Sequence, residues 1–382
     1  MLNNFLHLNQ YQTLNLIEVE KEALLKNFQY FQNSNSHTKI CSVLKSNAYG
    51  HGLKLIGKFV DKEIKPEFIC VDSLYEAYEL EKIGVETKIL VLGYTFPKNF
   101  KFRKINFHLP IFDLETLEVL NKYQPGVNVH LKIDTGMNRL GVKEDEVEDF
   151  MRSLKNFNRV NVVGIYSHLA SAENINEDKF TKWQINKFKK IIKYFENSGF
   201  SFQYKHLFAT AGALRFKDKE FNLIRLGLGF YGISPFSTES ISYRNLQYKI
   251  KPALKLITHI CQLKEIEKGE TVSYGRTFKA KRKMKIAILP LGYYDGVDRR
   301  LSNKGKVKID DVYCQIIGLV CMNVTAIDVS AIKKPYVGQE VIVFDNQADS
   351  LNSIKNTADL IGSIPYEVLV SLSETTRRVL IS

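Results

Sequence analysis

The chain has 382 residues, 45% hydrophobic and 25% charged, a composition that excludes wholesale disorder and leaves room for one large domain and a smaller one. No run of about 18 uncharged apolar residues occurs, and the N-terminal stretch lacks the basic-then-apolar order of a signal peptide, so a cytoplasmic protein with no membrane partner is expected. Lys and Arg outnumber Asp and Glu by 54 to 41, a net charge of +13, but the lysines are interleaved with acids and the densest cluster, Lys279 to Lys285, is too short to track a duplex; no nucleic-acid partner is expected.

Short apolar runs predict strands at Ile40 to Lys45, Phe68 to Val71, Lys88 to Leu92, Asn106 to Pro110, Val127 to Ile133, Val160 to Ser167, Tyr204 to Ala209 and Leu223 to Leu226. Helical patterns separate most of them, such as Leu74, Ala77, Tyr78 and Glu81 closed by Gly84, or Leu114, Leu117 and Leu120. Eight strand-then-helix repeats are the pattern of an α/β (β/α)8 TIM barrel, with a doubly wound open sheet as the alternative. The fourth run, holding Pro110, is the weakest. After about residue 245 short alternating runs take over, including Lys306 to Ile309, Tyr313 to Val320 and Glu340 to Phe344, and no long helical pattern recurs until Ile354. The expected division is therefore 1–245 as a barrel and 246–382 as a mostly-β C-terminal domain, with the first ten or so residues free to pack on the latter. Cys41, Cys70, Cys261, Cys314 and Cys321 are odd in number and widely spaced, which suggests reduced thiols and no metal site.

Barrel chemistry sits at the C-terminal ends of strands, so the polar residues that end the apolar runs are the candidates. Lys45 ends the first run, Lys132 and Arg139 flank the fifth, His168 ends the sixth, Thr210 follows the seventh and Arg225 ends the eighth. A lone lysine in so lysine-rich a chain is ordinarily a snorkelling surface residue, and a lone histidine a satisfied core residue. Lys45 departs from that reading, because it follows mostly apolar residues and precedes Gly50 and Gly52, which permit close backbone approach. A lysine partly desolvated at such a strand end is suited to Schiff-base chemistry.

Lys45-Ser-Asn-Ala-Tyr-Gly-His-Gly resembles the pyridoxal-phosphate attachment motif of the alanine racemase family. Further matches follow in the family's order: Lys132 to Gly141, Tyr166-Ser-His168-Leu-Ala, Arg225 to Gly232, Val272 to Phe278, Leu291 to Gly296, Cys321-Met-Asn323 and Pro365-Tyr-Glu367. The resemblance spans almost the whole chain and implies a homodimer of barrel-plus-β-domain subunits with shared sites. It further implies pyridoxal 5'-phosphate as cofactor and interconversion of L- and D-alanine, D-alanine being a cell-wall precursor.

Racemisation needs a proton removed from one face of Cα and returned on the other, so two bases are required. By resemblance these are Lys45, which also carries the cofactor, and Tyr274. A phenol is a poor base unless its surroundings lower its pKa, a role the family gives to a histidine matching His168, itself linked to Arg225. Arg225 is implied as donor to the pyridine nitrogen; a fixed cation cannot leave that nitrogen protonated, which weakens the electron sink and favours simple reprotonation over transamination. Tyr49, Thr210, the N–H groups of Gly227 and Leu228, and Tyr366 are implied around the phosphate. Arg139 is implied for the substrate carboxylate or the second base's hydroxyl and the Met322 N–H for the carboxylate, with Tyr293 and Tyr366 narrowing the space for a small amino acid, alanine before serine. A lysine matching Lys132 is often carbamylated in the family and then orients the arginine.

Three positions depart from the family's pattern: Ala209 stands where an asparagine is usual, Asn323 where an aspartate is usual, and Leu319 lies in a region that usually holds an arginine. The rival readings are a racemase of another small amino acid such as serine, a pyridoxal-phosphate carrier protein without racemase activity, and a barrel-type decarboxylase. Residues 245–382 with Tyr274 count against the carrier, and the decarboxylase's cysteine motif is not found.

Overall fold

The computed structural model describes residues 13–237, 239–246 and 249–382. They divide into two compact units: Leu24–Ala48 with Leu53–Ile250, and residues 13–23 with Tyr49–Gly52 and Lys251–Ser382. The first ten or so residues, expected to pack on the C-terminal domain, lie outside the described residues.

The first unit contains eight strands, Lys39–Val43, Phe68–Val71, Ile89–Val91, Leu109–Ile111, Asn128–Lys132, Asn161–Tyr166, Tyr204–His206 and Leu223–Leu226. They pair in parallel as two ladders of four, with the eighth strand beside the first. Backbone hydrogen bonds cross both seams. Val91 N–H donates to His108 O (3.0 Å) and His108 N–H to Ile89 O (2.8 Å) at one; Arg225 N–H donates to Phe208 O and Asn222 N–H to Lys205 O (3.0 Å each) at the other. An open sheet would leave two free edges, so this arrangement is the (β/α)8 barrel. The strands read as continuous apolar runs because both their faces are covered; all four residues of Phe68–Val71 are buried. Helices start where a polar side chain can accept from an orphan N–H: Ser73 from Glu76 N (3.3 Å) and Asp113 from Thr116 N (2.7 Å). The fourth strand is shifted from its expected 106–110 to Leu109–Ile111. Pro110 has no N–H to give, so pairing toward the third strand falls on His108 instead.

The second unit is mostly β. A six-stranded sheet runs in the order Val312–Gln315, Lys306–Ile309, Glu340–Phe344, Leu254–His259, Leu16–Glu20, Arg377–Ile381. A three-stranded sheet joins Gln262–Ile266, Met284–Leu289 and Thr325–Asp328, and the helix Ile354–Ile361 starts on Ser353, whose hydroxyl accepts from Asn356 N (3.2 Å). Leu16–Glu20 falls in the N-terminal stretch of the sequence yet belongs to this sheet, parallel to Arg377–Ile381 and antiparallel to Leu254–His259. Its alternating burial fits a sheet covered on one face rather than a barrel strand. No helix among the described residues is long and apolar enough to cross a membrane.

Candidate active site

Within the barrel unit, Lys45 stands just after the first strand and opens an unusual turn. Ser46, Asn47, Ala48 and Tyr49 all have φ between 51° and 55°, with Ala48 N–H bonded back to Leu44 O (2.7 Å). A left-handed turn of four non-glycine residues costs about 1–2 kcal/mol for each, so neighbouring structure must hold it. Asn47 does so twice: its side-chain oxygen accepts from Leu53 N–H (2.7 Å), and its own N–H donates to Glu76 Oε1 (3.3 Å). The other oxygen of Glu76 accepts from Asp72 N–H (2.8 Å), so one carboxylate ties together the segments that follow the first two strands. Lys45 Nζ lies 3.7 Å from Asp72 Oδ1. Its side chain keeps 39% exposure and is held by an ion pair, not by the desolvation expected from its apolar neighbours.

Arg225 is buried on the eighth strand, and its guanidinium spends every contact on acceptors. Nη1 donates to His206 Nδ1 (2.8 Å) and His206 O (3.1 Å); Nη2 donates to Ser167 O (2.7 Å), Leu207 O (3.2 Å) and His168 Nδ1 (3.2 Å). Because arginine offers only donors, His168 must accept on Nδ1 and carry its proton on Nε2. Burial, with the positive field of Arg225, Arg139, Lys132 and Lys45, brings its pKa down to about 3, so the ring is neutral. Lys132 ends the fifth strand over the ring of Tyr166, 5.4 Å from its centroid, and burial with Arg225, Arg139 and Lys45 nearby lowers its pKa to about 8. Arg139 is exposed on the loop that follows, whose bend is held by Asp134 Oδ1 accepting from the N–H groups of Gly136, Met137 and Asn138.

Thr210 begins the short helix Thr210–Arg215, and its hydroxyl accepts from Gly229 N–H (3.1 Å). After the eighth strand the chain turns tightly: Phe230 N–H donates to Gly227 O (2.8 Å) and Tyr231 N–H to Leu228 O (3.1 Å). The N–H groups of Gly227 and Leu228 head this turn, where no earlier carbonyl of the turn can take them.

In the second unit, the Tyr49 ring packs 5.8 Å from that of Tyr366. Gly50, with φ of 77°, is the close approach its sequence position suggested: a Cβ there would run into the Leu369 carbonyl, and Arg378 Nε donates to the Gly50 carbonyl (2.8 Å). Tyr274 is 74% exposed. The preceding Ser273 donates to Leu319 O (2.6 Å) and lies 3.3 Å from Cys321 Sγ. Tyr293 N–H donates to Cys321 O (2.9 Å) and Tyr294 N–H to Met322 O (3.0 Å). Tyr274, Met322 and Tyr293 thus stand on mutually bonded loops, all with exposed side chains.

Three residues of this arrangement were not among the sequence candidates: Asp72, Glu76 and His206. Asp72 follows its strand as Lys45 follows the first, and His206 is a polar residue inside an apolar run, so both carried a positional signal. Glu76 carried none, being one acid of an ordinary helix.

Against known proteins, the family description "Alanine racemase, N-terminal domain" matches residues 19–235, and "Alanine racemase, C-terminal domain" matches residues 253–380. The chain belongs to the alanine racemase family. It is 32% identical over 370 residues to alanine racemase 1 of Caldanaerobacter subterraneus subsp. tengcongensis, covering 95% of this chain and 94% of that protein. With the alanine racemase of Carboxydothermus hydrogenoformans it shares 33% identity over 369 residues, 95% of this chain and 98% of the relative. The alanine racemase structure from Clostridium difficile 630 superposes with a TM-score of 0.88 at 29% identity, covering 97% of this chain and 96% of that one. The Bacillus anthracis alanine racemase with bound L-Ala-P gives the same TM-score, identity and coverage.

The departures from the alanine racemase pattern have local consequences. Ala209 precedes the Thr210 helix without a side-chain cap. Asn323 donates to Asp295 Oδ2 (3.2 Å), the oxygen that also accepts from Gly292 N–H (2.9 Å), so the amide supplies a donor where an aspartate would set two carboxylates face to face. Leu319 contributes through its carbonyl, which anchors Ser273.

Proposed function

We propose that this member of the alanine racemase family interconverts L- and D-alanine with pyridoxal 5'-phosphate, using Lys45 and Tyr274 as the two bases. The observation that carries the reading is Arg225, a buried guanidinium locked onto two imidazole nitrogens and three carbonyls, beside a lysine-bearing strand end. The donor set fits a phosphorylated pyridine aldehyde: an amine for the carbonyl carbon, a fixed cation for the ring nitrogen, and a hydroxyl with turn N–H groups for the phosphate. Lys45, Arg225, Thr210, Gly227, Leu228, Tyr49 and Tyr366 would hold it. When bound, the cofactor supplies the electron sink that acidifies the substrate's Cα–H.

Lys45 takes or returns the proton on one face of Cα and the Tyr274 oxygen does so on the other. Neutral His168, accepting from Arg225 on Nδ1, has its Nε2–H free to donate to the phenolate form of Tyr274. Arg139 and the Met322 N–H orient the substrate carboxylate, and Tyr293 with Tyr366 restricts the side chain to a methyl. The test is direct. Purified protein given cofactor should show a visible absorption band and racemise alanine faster than serine or any larger amino acid in a panel of both enantiomers. Absence of the band, or serine outpacing alanine, overturns the assignment.

Lys132 gives a pH prediction. Only a neutral amine attacks CO2, releasing a proton and leaving a carbamate, and an amine titrating at about 8 is one-tenth neutral at pH 7 but half neutral at pH 8. At fixed CO2 pressure the 13C carbamate signal should grow between pH 6.5 and 8.5 and vanish in Lys132→Ala. A signal in the wild type that falls as pH rises, or that survives in the variant, refutes this. Carbamylation would set a carboxylate among Arg225, Arg139 and Lys45, all of which bear on this amine.

A further inference from the structure

The barrel interior holds three histidines to which the proposed reaction gives no part: His206 ends the seventh strand, His130 stands midway along the fifth, and His108 just precedes the fourth. His206 Nε2 lies 2.9 Å from His130 Nδ1, His130 Nε2 lies 3.0 Å from His108 Nδ1, and His108 Nε2 lies 3.3 Å from the side-chain amide of Asn128, the first residue of the fifth strand. All three rings are buried. At the other end, Arg225 Nη1 is 2.8 Å from His206 Nδ1.

Proton counting gives this series a direction. Arginine can only donate, so His206 Nδ1 accepts, and a neutral imidazole that accepts on Nδ1 carries its proton on Nε2. That Nε2–H points at His130 Nδ1, which therefore accepts, and the same step repeats to His108. Each ring is forced into the Nε2–H tautomer, and the series ends on an amide that can present its oxygen by a half-turn. Neutrality is assured by the surroundings: burial, with Arg225 and the neighbouring ring, holds His206 and His130 well below the usual imidazole range, and burial with Lys88 brings His108 to about 4. The ring planes are clamped as well. His206 stacks on Tyr166 at 4.7 Å, His130 on Tyr204 at 5.6 Å, and Phe68 meets His108 edge-on at 4.7 Å. Gly164 leaves the space for His130, since a Cβ there would collide with its ring.

We propose that His206, His130 and His108 form one directional hydrogen-bond relay that fixes the Arg225 guanidinium, and that His108, at the opposite end of the relay, is a positioning residue for racemisation. The proposal rests on the assignment of Arg225 to the cofactor's ring nitrogen. Its logic is that the relay cannot be damaged locally. Without an acceptor at position 108, the His130 Nε2–H is a buried donor with no partner; moving its proton to Nδ1 relieves that, but forces His206 to carry its own proton on Nδ1, aimed at a guanidinium that is also a donor. The arginine must then shift, which changes a contact made to the reacting system and not the binding of substrate.

The test uses the cofactor-loaded enzyme labelled with 15N-histidine. Wild type should show His206, His130 and His108 as neutral Nε2–H tautomers. His108→Leu should lower kcat about ten-fold with KM for alanine changed less than about two-fold, and should move the His206 proton to Nδ1. His108→Gln, whose amide oxygen can accept from His130, should restore both. Should His108→Leu fail to fold, Gly164→Ala displaces the His130 ring from a neighbouring strand and should give the same kcat-against-KM split. Nδ1–H tautomers in the wild type, or a folded His108→Leu with wild-type kcat and tautomers, would overturn the proposal. A wild-type enzyme that shows the expected tautomers but does not racemise alanine instead overturns the functional reading and with it the positioning role, while the relay stands.

Discussion

Lys45→Ala is expected to yield a folded protein that develops no visible band with pyridoxal 5'-phosphate and racemises alanine at least about a thousand-fold more slowly than wild type. The size follows from a double loss, since one amine is assigned both to anchoring the cofactor and to one of the two proton transfers. Folding should survive, because the side chain is 39% exposed and its ion pair with Asp72, at 3.7 Å, is of the partly exposed kind worth about 0–1 kcal/mol. What holds the left-handed turn is the Asn47 and Glu76 bonding, which the substitution leaves alone. Borohydride treatment of the loaded wild type checks the assignment independently of rate. The reduced label should sit on the peptide containing Lys45, and finding it on the Lys132 peptide would move the anchor to the fifth strand.

How much of this was open to a reader of the sequence depends on how local each cause is. The barrel strands were legible because a strand covered on both faces becomes an uninterrupted apolar run, and the fourth, the weakest run, was misplaced by a few residues because Pro110 has no N–H to give and pairing toward the third strand falls on His108. The pairing of Leu16–Glu20 with Arg377–Ile381 was not legible, since it joins segments at opposite ends of the chain and no local signal chooses the partner. Nor was the left-handed turn, because Ser-Asn-Ala-Tyr has no glycine and the conformation is imposed by Leu53 and Glu76. The candidates Lys45, Lys132, His168 and Arg225 could be picked from the sequence because barrels place chemistry at strand ends, and all four stand at or just beyond the C-terminal part of a strand. Their partners Asp72 and His206 required the register of neighbouring strands, and the direction of the histidine relay required knowing that a guanidinium stands at its end.

The second large effect concerns where Tyr274 acts. In its own chain this tyrosine is 74% exposed, and Met322 and Tyr293 on the loops bonded to it are exposed as well. A phenol that must exchange a proton with Cα at neutral pH needs a desolvated, hydrogen-bonded setting, and a second copy of the chain laid over this surface would supply it. In such a two-fold dimer each site takes Lys45 from one subunit and Tyr274 from the other. Lys45→Ala and Tyr274→Phe homodimers should then each be nearly inactive, every site lacking one base. Unfolded together in equal amounts and refolded, they should pair at random to give about half hybrids. Each hybrid holds one site missing both bases and one missing neither, so activity should return to about a quarter of wild type. Were Tyr274 to serve the site of its own chain, every site in every hybrid would still lack a base, no activity would return on mixing, and the shared-site assignment would be wrong.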